Sequence, residues 1–311
     1  MNVLSTHLDQ YMAFREARGL QPSPKTRRML QQFTASLPQA RSGNAAFTQA
    51  DVLTWVNTPT GAAPAWRSAR LSKVRQFAIY LAGCGVGVQV PATRLVPSGR
   101  ARAVPYIYTP SDIQLLMQAA GHLHRPLRAA TMSVLIGLLT VTGMRIGEAL
   151  SLDVGDVDHA RATVLIRNAK LGRQRLVTLD ATTCRALTDY LHFPQRTAFG
   201  LGAQSPLLTS TIGTRLSIGT VYDAWARILD RAQLPARPGA RPRLHDLRHT
   251  FATRTMITAY QQGRDPAATL AALAIWLGHS SPAFTYWYLQ SVPELATVAI
   301  ARLDATEGQD Q

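Results

Sequence analysis

The 311-residue chain reads as a mainly α protein. An all-helical N-terminal module should precede a mostly helical domain that carries one small antiparallel β-sheet. Three observations predict this. Apolar residues recur at helical spacing through most of the chain. Only two short runs in the second half have β-type composition. The length suffices for two domains of ordinary size, each with its own core.

In the first module, Leu4 to Arg18 places Leu4, Leu8, Tyr11, Met12 and Phe14 on a helical stripe and stops at Gly19. Ser23-Pro24 opens a second helix carrying Met29, Leu30 and Phe33. Thr48 is placed to N-cap a third, over Ala50 to Val56. A fourth spans about Ala65 to Ala82 and ends at Gly83. The stretch from Gly85 to Val104 follows, with Pro91 and Pro97, and Pro105 just beyond. It has Arg94, Arg100 and Arg102 and no acidic residue. It reads as an interdomain linker, taken as 91–105, that also touches a phosphate backbone.

The second domain begins at Thr109-Pro110-Ser111-Asp112, an N-cap and first-turn signal for a helix over Ile113 to Ala120. A buried helix should run from about Pro126 to Thr142. The two β-type runs are Thr163 to Arg167 and Arg175 to Leu179, with a turn-like Asn168-Ala169-Lys170-Leu171-Gly172 between them. Helices then return over Ala181 to Tyr190, Ile218 to Ala232, Leu247 to Tyr260 and Pro266 to Leu277. A last one lies near Val292 to Leu303, before a tail at Asp304 to Gln311 that looks disordered.

Composition narrows the function. The formal net charge is +15, which suggests a polyanionic partner, nucleic acid first. Residues 1–105 hold 13 Lys+Arg against 3 Asp+Glu, and residues 106–311 hold 20 against 15. The footprint is thus concentrated in the module and linker. The bland alternative is an Arg-rich surface from a GC-rich genome, since only Lys25, Lys73 and Lys170 are lysines. Cys84 and Cys184 form no CxxC pattern and suggest neither a disulfide framework nor zinc. There is no signal-like N-terminus, and the most apolar stretch, Ala129 to Val141, is too short to span a bilayer. A bacterial cytoplasmic, DNA-associated location is expected.

Four segments carry the chemistry. They are Thr142-Gly143-Met144-Arg145-Ile146-Gly147-Glu148-Ala149-Leu150; the turn bearing Lys170; Leu244-His245-Asp246-Leu247-Arg248-His249-Thr250-Phe251-Ala252-Thr253; and Leu277-Gly278-His279-Ser280-Ser281. Tyr288 follows His279 by nine residues. Together they resemble the tyrosine recombinase (phage integrase) family, the group of lambda integrase, Cre and the Xer proteins. The resemblance covers about residues 106–300. The first module, taken as 1–90, matches only in type, as a helical core-binding (SAM-like) DNA-binding domain. The implied fold is that of the DNA breaking-rejoining enzymes, with a catalytic domain over 106–290. The segment Ala259 to Thr269 is longer than the usual connection there, which hints at a transposon-associated branch.

The implied chemistry is metal-independent, without a cofactor. Breaking a phosphodiester requires a nucleophile, cations around the phosphorane and an acid for the leaving 5′-oxygen. Arg145 and Arg248 suit the cationic role, since guanidinium groups grip nonbridging oxygens in pairs. By resemblance, His245 and His279 add hydrogen bonds to the phosphate and Lys170 protonates the leaving oxygen. Tyr288 attacks to form a 3′-phosphotyrosyl link, and Glu148 orients the site as an accessory acid. Lys170 is the only lysine of the second half, among 19 arginines. An acid that can lose its proton is needed there, and arginine holds its proton too tightly. Its segment, Lys170-Leu171-Gly172-Arg173-Gln174-Arg175, departs from the family's commoner Lys-Gly-Gly or Lys-Gly-Asn start.

Other readings stay open. A lone helical Arg is usually a surface residue, and a lone Tyr is more often packing. His245 and His249 have the i, i+4 spacing of zinc ligands, but no HExxH glutamate or nearby Cys accompanies them. Tyr286 is a second candidate nucleophile, and only the family offset selects Tyr288. The helix near Val292 to Leu303 could pack in cis or dock on a neighbouring protomer. The residues expected to face DNA are Arg67, Arg70, Lys73, Arg75, Arg94, Arg100, Arg102, Arg173, Arg241 and Arg243. The expected partner is double-stranded DNA with an inverted-repeat core site. The expected assembly is a homotetramer on two duplexes, with or without sister recombinases. A catalytically silent DNA-binding protein of the same fold, or a topoisomerase-like relaxing enzyme, are the alternatives.

Overall fold

The computed structural model describes residues 3–20, 24–38, 46–97, 104–167, 174–200 and 202–278. It divides into two units, Met1–Ala103 and Val104–Gln311.

The first unit is built from α1 (Val3–Ala17), α2 (Pro24–Ala35), α3 (Gln49–Val56) and α4 (Pro64–Gly83). Leu8, Tyr11, Leu30, Phe33, Phe47, Trp55, Val74, Phe77 and Leu81 form its core. Thr48 caps α3 as expected: its backbone N–H donates to Asp51 Oδ2 at 2.6 Å, and its hydroxyl accepts from the Asp51 N–H.

Two expectations for this unit need correcting. The stretch after α4 was expected to be linker, but part of it packs on the unit. Val96 is buried in the core, with Val86, Val88 and Leu95 against it. Ala46 N–H donates to Gly87 O, and Gln89 N–H to Phe47 O. Arg70 is not a surface contact for DNA. Its guanidinium lies 3.4 Å from the Trp55 ring centroid and 4.3 Å from that of Trp66, and it donates to Thr58 O. It is 6% exposed and acts as a cation–π tie inside the unit.

The second unit contains α5 (Pro110–Gly121), α6 (Pro126–Thr142), α7 (Ile146–Ser151), α8 (Ala181–Leu191), α9 (Pro194–Thr197), α10 (Ile218–Ala232), α11 (Asp246–Gln261) and α12 (Pro266–Leu277). Its sheet has order β1 (Val157–Asp158), β2 (Thr163–Ile166), β3 (Arg175–Thr178), antiparallel throughout, with Val164 opposite Val177. β1 and α9 are additions to the elements expected from sequence; at two and four residues they are too short to show a period.

α6 is the central helix of this unit: Met132, Leu135, Ile136 and Leu139 are buried in the main core. α11 packs on α6 and on α12. Ala252, Met256, Leu270, Leu273 and Leu277 form a smaller cluster between those last two helices. The long Ala259 to Thr269 segment is mostly helix: α11 runs to Gln261 and α12 starts at Pro266. The segment that leads into α5 is pinned by two tyrosines. Tyr106 and Tyr108 are buried and donate their hydroxyls to Pro235 O and Arg243 O, both at 3.0 Å. No helix among the described residues is long and apolar enough to cross a membrane.

Candidate active site

The site is organised where four helix ends meet, those of α6, α7, α11 and α12. α6 stops at Gly143, which adopts φ +62° and donates its N–H to Leu139 O. A side chain there would collide: an added Cβ would stand 2.5 Å from the Phe251 ring and 2.9 Å from Leu277. Glycine is thus required by both conformation and space. The chain then turns through buried Met144 to Arg145, the N-cap of α7. The Glu148 carboxylate reaches back to accept from the Arg145 backbone N–H and from Arg145 Nη1, both at 2.8 Å. Arg145 is therefore oriented by a residue one turn ahead of it.

His245 and Arg248 sit at the start of α11. Arg248 is 2% exposed and donates to Gly143 O and Leu277 O, each at 2.8 Å. Asp246, fully buried, accepts from the Arg243 backbone N–H and from its guanidinium at 3.0 and 2.7 Å. Arg243, expected to face DNA, is thus engaged in an ion pair, though its side chain is 44% exposed. The outer side of His245 is open to solvent, and its ring meets that of His249 edge-on at 5.0 Å. Crowding by protein on the inner side, and then the positive Arg248, hold its pKa below the ordinary histidine value.

The end of α12 is where these parts converge. Three consecutive carbonyls are each held by a different guanidinium. Trp276 O accepts from Arg175 Nε at 2.7 Å, Leu277 O from Arg248 at 2.8 Å, and Gly278 O from Arg145 Nη2 at 3.3 Å. A helix C-terminus presents unpaired carbonyls and partial negative charge, which suits cations. Trp276 adds a further tie through its indole N–H to Thr142 O at 2.8 Å. Arg175 also grips Glu148 in a fork, Nη1 to Oε1 at 3.1 Å and Nη2 to Oε2 at 2.7 Å. Burial alone would raise the Glu148 pKa. The hydrogen bonds from Arg175, and then those from Arg145, outweigh it and hold the carboxyl below its usual range.

Arg145, Glu148, His245 and Arg248 are thus brought to one locality. Arg175 joins them without having been expected; no motif spacing pointed from it to Glu148. Lys170, His279, Tyr288, Tyr286, Arg100, Arg102 and Arg173 lie outside the described residues, as do the expected C-terminal helix and tail. Among the remaining basic residues, Arg94 and Arg241 are exposed, while Arg67, Lys73 and Arg75 are half-buried. Arg75 donates to Pro91 O. Among the described residues no group of three or more His, Cys, Asp or Glu could hold a metal ion.

The family model for the phage integrase family matches residues 107–294, the span that holds every part of this site. The chain belongs to the phage integrase family. One relative is a Sinorhizobium fredii sequence named as an integrase/recombinase, y4rB, 36% identical over 310 residues and 98% of each chain. Another is the tyrosine recombinase XerC of Mycobacterium tuberculosis, 27% identical over 310 residues, 98% of this chain and 97% of the relative. Among solved structures, a lambda integrase dimer bound to a COC′ core site matches with TM-score 0.62 at 18% identity, over 91% of this chain and 94% of that one. The Tn1549 transposon integrase in complex with a circular intermediate DNA matches with TM-score 0.63 at 15% identity, again over 91% and 94%. These structural matches establish the recombinase fold.

Proposed function

We propose that this chain is a site-specific recombinase that cuts and rejoins DNA through a 3′-phosphotyrosyl link on Tyr288, without metal or cofactor. One observation carries the reading. Arg145 and Arg248, far apart in sequence, converge on adjacent carbonyls at the end of α12. His279 is the next residue, and Tyr288 follows nine later. In this mechanism the two guanidinium groups bind the nonbridging oxygens and stabilise the charge that grows on the phosphorane. The Tyr288 oxygen attacks phosphorus, the bond to the 5′-oxygen breaks, and Lys170 supplies the proton that oxygen needs. His245, held below the ordinary histidine value, adds a hydrogen bond to the phosphate and can take the proton that the Tyr288 hydroxyl releases as its oxygen attacks. His279 donates to the phosphate. The phosphotyrosyl link retains the bond energy, so rejoining needs no ATP.

The expected substrate is duplex DNA with an inverted-repeat core site, bound by both units, with Arg94, Arg100, Arg102, Arg173 and Arg241 facing the backbone. A homotetramer on two duplexes is the expected assembly. Two fold neighbours support this reading: a lambda integrase tetramer bound to a Holliday junction, and XerH bound to a palindromic difH substrate.

The test begins with a binding site selected from randomised duplexes and rebuilt as a nicked suicide substrate. In EDTA, wild type should form a covalent adduct that maps to Tyr288. Tyr288→Phe should form none and bind the site like wild type. An adduct that survives Tyr288→Phe and disappears in Tyr286→Phe would reassign the nucleophile. Tight binding with no adduct would favour the silent accessory protein. Relaxation of any supercoiled plasmid would favour the topoisomerase-like reading.

A further inference from the structure

We propose that Arg175 is a positioning residue for the phosphoryl transfer, acting through Glu148 to leave the Arg145 charge available to the scissile phosphate. The proposal rests on the recombinase reading above. Arg175 belongs to β3, five residues after Lys170, and takes no position expected to touch DNA. Its guanidinium is nevertheless almost buried, 11% exposed, and each of its three nitrogens is engaged.

The charge count gives the reason. Arg145 and Glu148 alone form a neutral pair, because the carboxylate accepts from both the backbone and the side chain of Arg145. A neutral pair offers a phosphate little. Adding Arg175, which takes both carboxylate oxygens at once, leaves the trio at +1. Arg175 is also the largest single influence holding Glu148 ionised against its burial. The surplus positive charge is then on the guanidinium whose other nitrogen reaches Gly278 O, beside His279.

A second observation shows how closely the group is built in. Gly278 ends α12 at φ +64°, and an added Cβ would stand 3.0 Å from Arg175 Nη1. The helix end and the guanidinium are therefore in direct packing contact. Only a planar fork can span Glu148 Oε1, Oε2 and Trp276 O together; a lysine ammonium can serve one side at a time.

Developing charge makes the effect selective. The phosphorane carries more negative charge than the bound diester, so a misplaced cation slows the chemical step more than it weakens binding. DNA affinity is spread over many phosphates and should hardly notice one internal arginine.

The test uses the full chain and the suicide substrate described above, with Arg175→Lys, Glu148→Gln and the double variant. Binding constant, melting temperature and single-turnover adduct rate are read for each. Arg175→Lys should bind like wild type and form adduct roughly 100-fold more slowly, the scale of an ångström-sized misplacement. In the Glu148→Gln background the same substitution should change the rate by less than about 3-fold, since the carboxylate it balances is gone. A wild-type rate for Arg175→Lys overturns the proposal, and so does a penalty that persists undiminished beside Glu148→Gln. A slow rate that recovers fully once rates are expressed per folded molecule shows a purely structural role and also overturns it. If wild type itself forms no adduct, the recombinase reading fails and takes the proposal with it; the other outcomes leave that reading standing.

Discussion

Gly143→Ala should be among the most damaging single-methyl additions in the second unit. The residue sits at φ +62°, a conformation that costs an L-residue about 1–2 kcal/mol. The new Cβ would also stand 2.5 Å from the Phe251 ring and 2.9 Å from Leu277. Neither neighbour can swing away cheaply: Phe251 stacks on Trp276, and Leu277 is fully buried. Overpacking of this kind costs roughly 1–3 kcal/mol. The two effects sum to about 2–5 kcal/mol, which in a domain of this size lowers Tm by roughly 5–15 °C.

Calorimetry on the intact chain can read this, with Gly137→Ala, inside α6, as the control. Gly137 lies in the middle of α6 with nothing within 4 Å of its would-be Cβ. Alanine there should stabilise by about 0.5–1 kcal/mol. The two substitutions add the same methyl six residues apart and should move Tm in opposite directions. If Gly143→Ala shifts stability by less than about 1 kcal/mol, α6, α11 and α12 do not approach closely at this turn.

Two more expectations follow from the charged groups. Arg70→Ala should destabilise the first unit by about 1–3 kcal/mol, through loss of the stacking on two indoles and the bond to Thr58 O, while DNA affinity stays near wild type; a selective loss of affinity with unchanged melting would return Arg70 to the DNA surface. Glu148 has a folded pKa below its unfolded one, so its contribution is fully present above the ordinary carboxylate range and is lost as pH falls through the folded value. The stability gap between wild type and Glu148→Gln should therefore shrink in urea melts taken from pH 7 down to pH 3; a gap that does not change with pH would contradict an ionised Glu148.

What could be read from sequence was local. α6 is bounded by Pro126 and Gly143, and α10 opens on Ser217, and these ends obey capping rules that act over a few residues. Arg145 and Arg248 could be singled out as candidates because each lies within a motif near a helix start. Arg70 was misread because sequence cannot separate a basic residue facing water from one held between two aromatic rings. Trp55 is 15 positions away from it, on another helix. Arg175 was missed for the same kind of reason. Its partners lie 27 and 101 residues distant, and only the tertiary fold brings Glu148 and Trp276 O to it. The linker was overextended because Pro and Gly mark irregular backbone, not the absence of packing; Val96 is irregular and buried at once.

The arrangement of carboxylates explains why so many arginines can crowd one helix end. Arg145, Arg175 and Arg248 would repel one another if left alone. Glu148 offsets Arg145 and Arg175 directly; Asp246, adjacent in the fold, is occupied by Arg243 in a bidentate pair. The formal balance of the three arginines and Glu148 is +2. The carbonyls of residues 276–278 supply the rest, as hydrogen-bond acceptors carrying the partial negative charge of the α12 terminus. Carbonyl dipoles orient a guanidinium without cancelling its charge. A carboxylate in the same place would form a neutral pair and leave nothing for an incoming anion. Holding the arginines mostly by carbonyls, with one carboxylate shared between two of them, therefore keeps them ordered and still cationic, the condition a phosphodiester requires before any chemistry begins.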